Sequence, residues 1–382
     1  MKGFKNVCAY IENKGIIKCD IAVDNQKIVA IGSDLNISFE YTFVENGLVV
    51  PGFIDEHIHG AGGADAMDGE VDKLKTIANC LAAEGTTCFL ATTMTQSPKN
   101  IIKSLSAIKE YIGKNFSDGA KLLGVHLEGP FISEKHIGAQ PLEFLQKADV
   151  NTFIEYNNAS GNNIKIVTVA PEIDGAKELI AYLNKNGIVA SAGHTDAGYE
   201  DMITSVSHGL RCVTHTFNAQ KGIHHRDIGT AGAALMVDAL SAEMICDLIH
   251  LSAPTIKMIV KNKPHDKIIL ITDAMRAKGI PDGISELGGQ KVIVKNGQAR
   301  LENGALAGSV LKMNDAIKNL VADCNVPLTD AIDYATINPS KNLGISNTKG
   351  SIAINKDADF AVLDGNFGVV STIREGKIIY QK

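Results

Sequence analysis

Eight short β-type runs, separated by stretches with helical periodicity, constrain this chain more than any other feature. They read GLVVPGFID, TTCFLATT, LLGVHLEG, IKIVTVAPE, GIVASAGH, RCVTHTFN, AEMICDLIH and KIILITDA, and they fall between residues 48 and 345. Several are nearly continuously apolar and then end abruptly in Asp, Glu, His or Asn. A strand that is apolar on both faces must be covered on both, as parallel strands are in a barrel, and polar side chains then collect at the C-terminal rim. The predicted class is therefore α/β, a (β/α)8, TIM-like barrel over residues 48–345. The intervening segments support it. VDKLKTIANCLAAEG has helical apolar spacing and stops at Gly85, and DGAKELIAYLNKNG runs from a cap at Asp174 to a stop at Gly187.

Both chain ends read differently. CDIAVDNQKIVAIG near the start, and KGSIAINKDADFAVLD and VVSTIREGKIIYQ near the end, are β-type with Gly, Asn and Asp turn signals. Neither end has enough residues for its own core, so residues 1–47 and 346–382 are expected to form one discontinuous β-sandwich beside the barrel. With 382 residues, 45% of them hydrophobic, the chain is long enough to bury both units.

Its formal net charge of −6 argues against a nucleic-acid partner held by a general positive field, so an anionic ligand would need a local basic pocket. No apolar h-region opens the chain, and no charge-free stretch of roughly 18 apolar residues occurs, so neither secretion nor membrane spanning is expected. Seven scattered cysteines without a C-x-x-C pair suit a reducing compartment, and the expected location is cytoplasmic.

The rim residues carry the chemistry. Asp55-Glu56-His57-Ile58-His59 closes the first run, and side-chain alternation along a strand would put Asp55, His57 and His59 on one face, where two imidazoles can grip one metal ion. A histidine pair in a surface turn is the other reading of those two residues. Glu128 ends the third run, where a buried carboxylate needs a cation or a donor to compensate it. His194 ends the fifth run and His215 lies near the end of the sixth; singly each would be a hydrogen-bonded core histidine, but together they point to a metal. Asp273 ends the eighth run, placed either to take a proton from water and return it to a leaving amine or to cap the following helix.

The stretches PGFIDEHIHG, EGTTCFLATTMT, GVHLEGPFIS, TVAPE, SAGHTDA, THTFNAQ, HHRDIGTAGAAL, ITDAMRAKG, LAGS and ATINPSKNLG follow one another along almost the whole chain. In that order they resemble the N-acetylglucosamine-6-phosphate deacetylases of the amidohydrolase superfamily. The resemblance implies that Glu128, His194 and His215 hold a main divalent transition metal (Zn, Fe, Mn or Co). It also implies that His57 and His59 hold a second ion, with Glu128 bridging, in those members that use two. The superfamily's bridging lysine on the fourth strand is missing, and Glu128 would take its place. The resemblance further assigns the sugar phosphate to Asn218, Ala219, Arg226 and His250, with Arg226 supplied by either subunit of a homodimer; from the sequence alone Arg226 reads as a solvated loop residue. Gln140 stands where some relatives carry a substrate-contacting histidine, and its amide can donate to the substrate carbonyl without supplying charge. Gln220 also departs from the family pattern. His126 is a neighbour of Glu128 along its strand, His208 sits at a helix end, and His136, His224, His225 and His265 lie in loops.

The implied reaction is hydrolysis of N-acetylglucosamine 6-phosphate to glucosamine 6-phosphate and acetate. The alternatives are an enzyme for another N-acetyl amino sugar phosphate such as N-acetylgalactosamine 6-phosphate, a cyclic amidase, or a catalytically silent scaffold of the same fold. The retained ligands disfavour the scaffold, and the phosphate-binding residues disfavour a cyclic amide.

Overall fold

The computed structural model describes residues 1–382. Eight parallel strands run in sequence order around the central sheet: Phe53–Ile58, Thr86–Thr92, Lys121–Glu128, Ile164–Val169, Val189–Ala192, Leu210–Val213, Ser241–Ile245 and Ile268–Ile271. The seam between the last strand and the first is closed by isolated bonds. Asp273 N–H donates to the His57 carbonyl at 2.9 Å, His59 N–H donates to the Ala274 carbonyl at 2.9 Å, and Thr272 Oγ1 donates to Asp55 Oδ2 at 2.5 Å. Asp55 also accepts the His57 N–H at 3.4 Å, so its carboxylate ties the end of the first strand to the eighth.

Helices cover the outside of the barrel. Ile77, Leu81, Ile101, Leu105 and Ile108 from helices share one buried cluster with Phe89, Leu127 and Val167 from strands. Each such side chain contributes about 1.5–3 kcal/mol on burial, so this layer carries stability while the rim is left free for chemistry. The helix Pro98–Lys114 starts with Ser97 accepting the Asn100 N–H and Pro98 in its first turn, and it ends at Asn115 with φ 46°. The helix Ala176–Lys185 departs from expectation: Gly175, not Asp174, is its N-cap. A Cβ on residue 175 would lie 2.0 Å from the Ala148 carbonyl oxygen, so the close approach of that backbone decides the cap. Inside the barrel, buried polar groups satisfy one another, with His126 Nε2 2.8 Å from Thr168 Oγ1, Thr168 Oγ1 2.8 Å from Thr214 Oγ1, and Ser191 Oγ 2.6 Å from Thr214 Oγ1.

The run GLVVPGFID is divided between two sheets. Leu48–Pro51 pairs antiparallel with Phe360–Leu363 in a second eight-stranded sheet built otherwise from the chain ends, and only Phe53–Ile58 enters the barrel. Gly52 makes the crossing, because any Cβ there would sit 2.3 Å from the Thr87 side chain. One edge strand of this sheet, Lys27–Gly32, is bridged to the segment that leads into Phe360–Leu363, Ile28 N–H donating to Lys356 C=O at 3.0 Å and Ala358 N–H to Gln26 C=O at 2.8 Å. The sheet encloses its own core of Phe4, Ile21, Val49, Phe360 and Ile373.

A three-stranded meander, Gly283–Leu287, Gln290–Lys295 and Gln298–Leu301, follows the eighth barrel strand and is not expected from the run count. Its buried side packs on Met94, Met275 and Ala307. No helix is long and apolar enough to cross a membrane.

Candidate metal centre and substrate cavity

The strand ends bring His57, His59, Glu128, His194, His215 and Asp273 together, all of them buried. His194 Nε2 lies 3.3 Å and His215 Nε2 3.0 Å from Glu128 Oε1, and the two imidazole nitrogens are 3.2 Å apart. A tetrahedral ion with bonds of about 2.1 Å holds its ligands about 3.4 Å from one another, so this triangle is close to what one ion needs. His59 Nε2 lies 3.3 Å from the other oxygen, Oε2, while His57 Nε2 lies 3.5 Å from Oε1, the oxygen that His194 and His215 also face. Asp273 Oδ1 is 3.2 Å from His59 Nε2 and 3.5 Å from His57 Nε2. Its side chain caps no helix; the chain beyond it bridges at Ala274 to Ser309.

Three of these residues owe their aim to strained backbone. His194, His215 and Asp273 have φ of 48°, 30° and 47°, in the left-handed region that non-glycine residues seldom occupy. These torsions lie two residues past the strand ends at Ala192, Val213 and Ile271, where the chain turns over the barrel mouth. Nearby polar groups complete the orientation. His57 Nδ1 meets Glu243 Oε2 at 2.9 Å, His194 Nδ1 meets the His136 carbonyl at 3.0 Å, and Gln140 Nε2 donates to Glu128 Oε2 at 2.8 Å while Thr95 N–H donates to Gln140 Oε1 at 2.8 Å.

The electrostatics are those of a cation site. Burial works against ionisation of Glu128, but the facing His57, His194, His215 and His59 outweigh it and hold the carboxyl well below the usual range. Burial likewise disfavours a charged His57, yet the carboxylates of Asp273, Glu243 and Glu128 lift it to about 9. Asp273 is held at about 2, burial being overcome by His57 and His59. Protons therefore fill the role that a divalent ion would fill when bound. His57 Nε2 is a buried nitrogen without a hydrogen-bond partner, an arrangement that a metal bond explains. The donor set of imidazoles and carboxylates fits a divalent transition metal.

Above the cluster lies a cavity of about 230 Å³, lined by His59, Glu128, Gln140, His194, His215, Asn218, Ala219, His250 and Asp273, with Met94, Leu287, Ala305 and Leu306 as its apolar wall. His250 Nδ1 lies 2.6 Å from Asp247 Oδ2. Gln220 holds the turn that carries Asn218 and Ala219, its Nε2 donating to Thr214 C=O at 2.5 Å and its Oε1 accepting the Phe217 N–H at 3.1 Å. Arg226 is not among the lining residues: it is exposed, with Nη1 2.7 Å from His225 Nε2.

His126 packs against the His57 ring, centroids 4.4 Å apart, with its nitrogens on Glu56 C=O and Thr168 Oγ1, and burial next to His57 lowers it to about 4. His208 ends its helix, Nδ1 2.8 Å from Thr204 C=O, and His265 Nε2 pairs with Asp333 at 2.9 Å. Glu243, Asp247 and the carbonyl of His136 are functional neighbours that residue patterns do not single out. Asp247 has a local signal, standing three residues before His250 at a strand end.

Residues 48–379 match the model of the amidohydrolase family. The chain is 40% identical over 381 residues to N-acetylglucosamine-6-phosphate deacetylase of Bacillus subtilis, covering 98% of this chain and 96% of that one. It is 32% identical over 331 residues to N-acetylgalactosamine-6-phosphate deacetylase of Escherichia coli O157:H7, covering 87% of each. A solved structure with a TM-score of 0.92 and 28% identity, covering 100% of this chain and 99% of the other, is a mutant N-acetyl-D-glucosamine-6-phosphate deacetylase from Mycobacterium smegmatis. That mutant, an aspartate-to-alanine substitution, is in complex with N-acetyl-D-glucosamine-6-phosphate.

Proposed function

The chain belongs to the amidohydrolase family, in its N-acetylglucosamine-6-phosphate deacetylase branch, and from that premise we propose that it hydrolyses N-acetyl-D-glucosamine 6-phosphate to D-glucosamine 6-phosphate and acetate. The observation that carries the reading is the closure of four histidines, Glu128 and Asp273 under a cavity whose wall includes Asn218, Ala219 and His250. The higher identity and fuller coverage of the relative named as an N-acetylglucosamine-6-phosphate deacetylase favour that epimer over the galactosamine analogue. A silent scaffold is disfavoured because every expected ligand is in place.

Glu128, His194 and His215 would hold a Zn, Fe, Mn or Co ion, and His57 and His59 a second. Bound there, the metal supplies the Lewis acidity that brings the pKa of water from 15.7 toward about 7. Asp273 Oδ1 takes the proton of the attacking water and returns it to the amide nitrogen as the C–N bond breaks. Gln140 uses one N–H on Glu128, which leaves the other for the acetamide oxygen. Asp247 takes His250 Nδ1–H, which turns Nε2 to the anionic end of the substrate. Holding the distant phosphate keeps the acetamide in register with Asp273.

Arg226 lies outside the cavity of its own chain, so a role at the substrate's phosphate requires a homodimer in which it reaches the neighbouring site. Seven free cysteines support a cytoplasmic location.

A free-amine assay with the two 6-phosphates and unphosphorylated N-acetylglucosamine tests the reading: kcat/KM should be highest for the glucosamine 6-phosphate substrate, and absence of amine release from it would overturn the assignment. In the same assay Arg226→Ala should lower kcat/KM for the 6-phosphate by about ten- to a hundred-fold, since a charged hydrogen bond contributes about 1.5–3 kcal/mol, with little change for the unphosphorylated sugar. Equal losses on both would make Arg226 a residue of the fold or the dimer.

His57→Ala/His59→Ala should reduce bound metal by about one ion per chain while the other stays on Glu128, His194 and His215. Metal analysis of the purified variant checks this; unchanged stoichiometry would make the pair structural.

A further inference from the structure

We propose that Glu243 is a positioning residue shared by the two halves of the metal centre, an inference that rests on the metal-dependent reading above. Glu243 is fully buried on the seventh barrel strand. Its Oε2 receives two donors from different strands: His57 Nδ1 at 2.9 Å and the main-chain N–H of His215 at 3.1 Å.

Each bond has a consequence for a ligand. A carboxylate can only accept, so His57 carries its proton on Nδ1 and presents Nε2, the atom facing Glu128 and Asp273, as a lone pair once the ring is neutral. The bond to His215 works through the backbone. Ladder pairing between the sixth and seventh strands stops at Val213 opposite Ala242. Beyond it Thr216 N–H donates to the Glu243 carbonyl at 2.9 Å, and the His215 N–H, turned aside by φ of 30°, is taken by the Glu243 side chain. The carboxylate replaces a missing ladder acceptor just where His215 leaves the strand. His57 and His194 each have an acceptor at Nδ1, whereas His215 Nδ1 has none, so its ring is aimed by Nε2 toward Glu128 at 3.0 Å while the Glu243 bond holds the main chain from which it projects.

A packing role does not account for the acid. Glu243 Oε1 is buried without a partner, which costs stability that an apolar side chain at this position would not incur. The residue makes sense as support for His57 and His215 together.

The test uses metal-stripped full-length protein titrated with Zn²⁺ against a chromogenic chelator, with the melting temperature of the stripped protein measured alongside. Glu243→Gln keeps the shape and should weaken Zn²⁺ binding by about ten-fold; Glu243→Ala should weaken it by up to about a hundred-fold, the range for outer partners of metal ligands. In a His57→Ala/His59→Ala background Glu243→Ala should still weaken the remaining ion, because His215 loses its support. Loss of the effect in that background would overturn the shared role. A lowered melting temperature with zinc affinity within about two-fold of wild type would overturn positioning altogether. Failure of the wild-type protein to take up zinc or any other divalent transition metal would instead bring down the metal-dependent reading itself.

Discussion

Asp273→Asn should keep its metal and lose about 10²–10⁴ in kcat, equivalent to about 2.7–5.5 kcal/mol of transition-state stabilisation. The substitution removes one capability, proton transfer, and leaves the frame alone. Residue 273 is held through its main chain, its N–H on the His57 carbonyl at 2.9 Å and its carbonyl accepting from Ser309 N–H at 2.8 Å. Asparagine also tolerates the φ of 47° better than most residues. Saturating kinetics beside metal analysis of the same preparation checks the expectation. Near-normal turnover with metal retained would take Asp273 out of the chemistry.

Stripping the metal should reduce activity to background, and adding Zn, Mn, Co or Fe should restore it. This is the larger effect because Glu128, the four histidines and Asp273 are all arranged around positive charge that the chain does not itself supply at neutral pH except by binding protons. Those protons must leave when the ion enters. With His57 lifted to about 9, apparent metal affinity should rise as pH increases toward that value, and reloading should release protons. Proton release followed with a pH indicator, and activity recovery in parallel, check both parts. Full turnover in protein shown to be metal-free would end the hypothesis.

The barrel is legible in the sequence because its strands are buried on both faces, and few arrangements other than a covered parallel sheet place an acid or histidine at the end of one continuous apolar run after another. The same property hides the boundary at Gly52: the residues on both sides are apolar, and the need for a bare Cα opposite Thr87 exists only in three dimensions. Glu243 escapes notice because one acid inside AEMIC looks like an interruption of a strand, and its two donors come from residues 57 and 215. The meander of GISEL, QKVIVK and QARL, with turns at Gly288-Gly289 and Asn296-Gly297, does carry hairpin signals, but it is an insertion after the eighth strand that the barrel repeat does not call for. Arg226 is recognisable as a residue, but its distance from the cavity is a property of the folded chain.

The sheet shared by the two chain ends imposes a timetable on synthesis. Val50 pairs with Ala361, and Leu48 with Leu363, so the edge of Leu48–Pro51 has no partner until more than three hundred further residues have been made. At about 5–20 residues per second, that wait is roughly 15–60 s, while the helices of the barrel form in far less. Throughout it the strands of residues 2–51 present an apolar edge able to recruit a strand from another chain. Nascent-chain quality control therefore bears on the first fifty residues of this protein more than on its catalytic barrel, and a chain that stops short of Phe360 would carry a nearly complete reaction centre on a molecule prone to aggregate.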